Sequence, residues 1–140
     1  MSLSIRNQIP GTVVSVTRGE VMATVGVSLD SGQEITAAVT REAVEDLGLA
    51  EGSAVRALVK STEVALATGP VEGVSIRNQI PGTVTDIATG GAMAGVKVSV
   101  PGGGELTAAI TKDAVADLGL APGSSVVALI KSSEVALAAV

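Results

Sequence analysis

Ser4–Val13 reads SIRNQIPGTV, and Ser75–Val84 reads SIRNQIPGTV again without a change. The offset of 71 residues then holds nearly to the end of the chain: Leu47-Gly48-Leu49 returns as Leu118-Gly119-Leu120, and Lys60-Ser61-Thr62-Glu63-Val64 as Lys131-Ser132-Ser133-Glu134-Val135. A long ungapped self-match of this kind means two copies of one small unit, with residues 1–69 as the first and 70–140 as the second. Thr68-Gly69-Pro70-Val71-Glu72-Gly73 is the linker, and it is too short to let the units tumble independently.

Within each copy the apolar pattern has mostly the period of a strand. Val21, Ala23, Val25, Val27 and Leu29 alternate with Met22, Thr24, Gly26 and Ser28. Leu3, Ile5 and Ile9 predict a short strand before it, which Pro10-Gly11 interrupts as a turn or bulge, and Thr12–Val16 is β-branched and predicts a second. Glu34–Val39, Ala54–Lys60 and Glu63–Ala67 are further strands. Thr40–Gly48 differs: Thr40 caps, Glu42 sits in the first turn, Ala43, Val44 and Leu47 share a face, and Gly48 ends the helix. Five or six strands with one helix before the last pair predict a mainly β fold, two tandem OB-type small β-barrels each with one short helix.

Composition limits the chemistry. There is no Phe, Tyr, Trp, Cys or His in 140 residues. A unit of about seventy residues buries only about 60% of its unfolded surface, and these cores have neither aromatic bulk nor disulfide nor metal staple. Burial against another chain is the remaining source of stability, so an oligomer is expected. A net charge of −5 disfavours a nucleic-acid footprint. The start MSLSIRNQIP lacks a basic n-region followed by an apolar core, and no apolar run reaches membrane-spanning length, which points to a cytoplasmic protein with no membrane partner. Without His, Cys or Tyr, a serine nucleophile has no usual base, and the acidic residues fall in turns and on the helix, so no enzyme is expected.

The remaining candidates are donors. Arg6 and Arg77, and Lys60 and Lys131, hold matching places in the two copies, with Ser4 and Ser75 before the arginines and Ser61 and Ser132 after the lysines. Arginine and lysine only donate and carry full charge, so strand ends that brought them together would form a pocket for a compact oxyanion. The plain alternative is a set of solvated strand ends.

The Ser-Ile-Arg-Asn-Gln run with its following glycine, the Leu-Gly-Leu-x-x-Gly and the Lys-Ser-x-Glu-Val ending together resemble the Mop domain of the molbindins. The resemblance covers almost the whole chain and is similar to the two-domain members. It implies a molybdate- and tungstate-binding protein for intracellular storage and homeostasis, with no covalent cofactor and no direct cation ligand. It also implies a homotrimer with oxyanion sites at domain and subunit contacts. Position by position it implies Ser4, Arg6, Thr40, Lys60 and Ser61, then Ser75, Arg77, Thr111, Lys131 and Ser132, as the oxyanion-binding set. Some members add a serine three residues after the threonine; here those positions are Ala43 and Ala114. None of the ten side chains is a carboxylate, which predicts selection for fully deprotonated oxyanions unless Glu63 and Glu134 turn inward to supply an acceptor. The rival readings are an OB-fold binder of single-stranded nucleic acid, which needs stacking aromatics and a basic groove, and a structural assembly module without bound anion.

Overall fold

A computed structural model describes residues 2–140. The first copy contains β1 (Asn7–Arg18), β2 (Met22–Leu29), β3 (Glu34–Thr40), α1 (Arg41–Leu47), β4 (Ala54–Val59) and β5 (Ala65–Ala67). The second contains β6 (Asn78–Thr89), β7 (Met93–Ser99), β8 (Glu105–Thr111), α2 (Lys112–Leu118), β9 (Ser125–Ile130) and β10 (Ala136–Ala139). A 3-10 turn precedes each final strand, at Ser61–Glu63 and Ser132–Glu134.

Pro10-Gly11 does not break the first strand. β1 is one long strand whose start pairs with β4, from Asn7 opposite Val59 to Thr12 opposite Ala54, and whose remainder pairs with β2 from Gly11 opposite Leu29. Pro10 is tolerated because the β2 pairing does not reach it. Gly11 is needed at the crossover: a Cβ there would come within 2.8 Å of the Ser28 carbonyl oxygen. The irregularity lies further on, as a register shift between Val13 and Ser15, repeated between Val84 and Asp86. Such bulges bend a strand, which lets β1 and β6 each serve two neighbours as the sheet curls.

The two five-stranded antiparallel sheets run β10-β4-β1-β2-β3 and β5-β9-β6-β7-β8. Each is therefore made of four strands from one copy and the last strand of the other. Ala136–Ala139 of β10 lie opposite Leu58–Val55, and Ala65–Ala67 of β5 lie opposite Leu129–Val127. β10 also approaches β3, and β5 approaches β8, so each sheet curls into a partly open barrel.

Alternation along the strands faces Val13, Val25, Val27, Val55 and their second-copy counterparts inward, and the buried residues of both copies form one continuous cluster of Val, Ala, Leu and Ile. The helix is built as its sequence predicts. Thr40 is extended, its Oγ1 accepts the Ala43 N–H at 3.0 Å, Val44 is buried, and Gly48 takes the left-handed conformation (φ 62°). α2 repeats this with Thr111, Ala114 and Gly119.

Candidate oxyanion site

The exchange of final strands carries the lysine segments to the seam between the copies. Lys60 follows β4, and the turn that Ser61 opens packs against β8 of the second copy; the turn at Ser132–Glu134 packs against β3 of the first. Two matching clefts result. One, of about 260 Å³, is lined by Ile5, Val39, Lys60 and Glu63 of the first copy and Ser133 and Glu134 of the second. The other, of about 270 Å³, is lined by Ile76, Ile110, Lys131 and Glu134 of the second copy and Thr62 and Glu63 of the first. Ile5 and Ile76, the middle residues of the two Ser-x-Arg segments, line these clefts with the lysines, while Ser4, Arg6, Ser75 and Arg77 are not among the lining residues.

Ser4, Arg6, Ser75, Arg77, Lys60 and Lys131 are all exposed. Among the described residues the only ion pairs are Arg41 with Glu45 and Lys97 with Glu105, so these four cations are free. The Ser61 and Ser132 Oγ atoms are buried and have no hydrogen-bond partner. A buried hydroxyl without a partner costs free energy, and two at matched places beside two free lysines mark unfilled hydrogen-bonding capacity.

Thr40 is elsewhere. It opens onto a depression of about 550 Å³ shared with Glu20, Val21, Arg41, Glu42 and Glu45. Its hydroxyl already accepts from Ala43 but retains its own hydrogen to donate. One chain thus places the lysines and the middle residues of the Ser-x-Arg segments at the seam and leaves Thr40 apart. The carboxylates do turn toward the lysines: Glu63 and Glu134 are half-buried and each lines both clefts. One ammonium against two carboxylates is a poor host for a dianion unless further positive charge is brought in.

Asn7 and Asn78 are the buried polar residues of the core. Asn7 donates through Nδ2 to the Thr107 carbonyl at 2.9 Å and accepts the Thr107 N–H at 2.8 Å. Asn78 does the same with Thr36 at 2.9 and 2.8 Å. Neither asparagine is among the sequence-predicted site residues; the sequence signal for Asn7 is its place inside the alternation of Leu3, Ile5 and Ile9. A separate apolar groove of about 360 Å³ beside Pro70, Pro81 and Pro101 contains none of the candidate residues.

A half-open barrel is carried twice, with donors at its seams, and the sequence profile of the TOBE domain matches residues 3–66 and again 74–137. The chain belongs to the TOBE-domain family and contains the domain in tandem. It is 42% identical over 138 residues to the molybdenum transport protein ModE of Azotobacter vinelandii, covering 99% of this chain and 51% of that protein. It is 41% identical over 136 residues to the molybdenum-pterin-binding protein MopB of Rhodobacter capsulatus, covering 96% of this chain and 50% of that one. The chain thus spans about half the length of these relatives. Among solved structures it is similar to the cytoplasmic molybdate-binding protein ModG with molybdate bound, at 42% identity, a TM-score of 0.98 and full coverage of both chains.

Proposed function

We propose that this protein binds molybdate and tungstate in the cytoplasm, storing and buffering them without catalysis. The observation that carries the reading is the pair of orphaned Ser61 and Ser132 hydroxyls beside unpaired lysines, in a chain that matches molybdate-bound ModG over its full length. Residues 1–69 and 70–140 act as two Mop units, and each site draws on Ser4, Arg6, Thr40, Lys60 and Ser61 or on Ser75, Arg77, Thr111, Lys131 and Ser132. Molybdate and tungstate at neutral pH present only acceptor oxygens, and charge-assisted donors are the strong partners for them.

Because Thr40 and Lys60 line different cavities of one chain, a second chain is needed to bring a threonine to a lysine. Val21, 72% exposed, lies in the Thr40 depression, and Met22 and Leu47 are exposed nearby in sequence, with Met93 and Leu118 at the matching places of the second copy. Apolar surface of this kind favours covering by another copy, and a homotrimer is the assembly we assign. Single-stranded nucleic acid is a poorer fit, since stacking aromatics are absent and the charge is −5. The test is elemental analysis of protein purified from molybdate-grown cells, with calorimetry on the anion-free protein. Retained molybdenum and saturable heat are expected; an assembled protein with neither is a structural module and not a binder.

A further inference from the structure

The two copies agree at every candidate donor, and Glu63 and Glu134 agree as well, but the surroundings of the two threonines differ. Around Thr40 stand Glu20, Arg41, Glu42 and Glu45. The Arg41 guanidinium is taken up by Glu45, Nε to Oε1 at 2.9 Å, and also donates to the Gly19 carbonyl at 3.4 Å. At the offset of 71 residues these four positions become Gly91, Lys112, Asp113 and Ala116. One cation thus faces three carboxylates in the first copy and one in the second, and Lys112 has no ion-pair partner among the described residues.

We propose that the two sets of oxyanion sites are unequal, those built on Thr111 holding a dianion more tightly than those built on Thr40, with Glu20 and Glu45 as the residues that set the difference. The inference rests on the oxyanion-binding function proposed above. Its cause is electrostatic: two extra negative charges at the first-copy threonine repel a dianion, and Glu45 also occupies the one cation there. Even in a water-like dielectric, two unit charges about 10 Å from a dianion lower its affinity about tenfold at low ionic strength, and the effect fades in about 1 M salt, where the Debye length is about 3 Å. Two affinities in one chain widen the concentration range over which it buffers the anion.

Titration of the full-length, anion-free protein with sodium molybdate in low-salt buffer tests this. Two equally populated classes about tenfold apart are expected, closing together in 1 M sodium chloride. Thr111→Val should remove the tight class and Thr40→Val the weak one. The double variant Glu20→Gly, Glu45→Ala copies the second-copy residues onto exposed positions, and should merge the weak class into the tight one. The reverse change, Gly91→Glu with Ala116→Glu, should weaken the tight class by the same factor; Gly91 has no neighbour that a side chain would strike and Ala116 is exposed. A single class in the unmodified protein, or a gap that both double variants leave unchanged, overturns the inference. Absence of any molybdate binding overturns instead the function on which it rests.

Discussion

Asn7 and Thr107 hold each other by two hydrogen bonds, the side-chain amide of one meeting both backbone polar groups of the other at 2.9 and 2.8 Å. Thr107 lies in β8, an edge strand, so Asn7 does for that edge what a neighbouring strand would do. Asn78 serves Thr36 of β3 in the same way. The residue after each candidate arginine is thereby fixed to the other copy, and the Ser-x-Arg segment is held at the seam.

Replacing either asparagine by alanine leaves the half-buried N–H and carbonyl of Thr107 or Thr36 unpaired, and a fully buried group of this kind costs about 1–3 kcal/mol. Asn7→Ala and Asn78→Ala should each lower the unfolding free energy obtained from chemical denaturation by about 1 kcal/mol or more, the low end of that range. A variant as stable as the parent would show that water replaces the amide.

Lys60→Ala and Lys131→Ala should each weaken molybdate binding at half of the sites by one to two powers of ten, since a hydrogen bond to a charged group contributes roughly 1.5–3 kcal/mol. Calorimetric titration of both single variants reads this directly. Unchanged stoichiometry and affinity in the double variant would remove the lysines from the site.

Light scattering at micromolar concentration should give a mass three times the 13.7 kDa of the chain. A folded monomer would leave Thr40 and Lys60 apart and refute the shared site.

The half-buried Glu63 and Glu134 add acceptors beside the lysines, and phosphate near neutral pH carries a proton that needs one. Phosphate should therefore compete measurably with molybdate, though less than tungstate does. The pair Glu63→Met, Glu134→Met should abolish that competition while sparing tungstate. Equal phosphate competition before and after would show that these carboxylates do not reach the anion.

Much of this was legible in the sequence, and the exceptions have physical causes. Helix α1 could be placed from Thr40, Glu42 and Gly48 because capping is local chemistry. β2 could be placed from nine alternating residues because burial on one face imposes period two. Pro10-Gly11 read as a break, but Pro10 pairs only with β4 and Gly11 begins the pairing with β2, which local sequence does not reveal. Glu63 begins no strand, since the chain first makes a 3-10 turn at Ser61–Glu63. The exchange of β5 and β10 was beyond reach for a firmer reason. Two near-identical copies give the same pattern whether a final strand returns to its own sheet or crosses to the other. Among the candidate donors, the motif brought out the lysine and Ser-x-Arg segments that the seam joins, but not that Thr40 stands in a separate depression.

The crossed strands also set a timetable for synthesis. The second sheet takes β5, which the ribosome has released before β9 exists, so it can close as soon as its own strands emerge. The first sheet waits for Ala136–Ala139, the final strand of the second copy. Until then the Val55–Leu58 edge of β4 lacks its partner, and an unpaired edge on a nascent chain is an invitation to wrong pairing. Strand β10 is thus the latch of the first barrel, and loss of that strand from the second copy does its damage in the first.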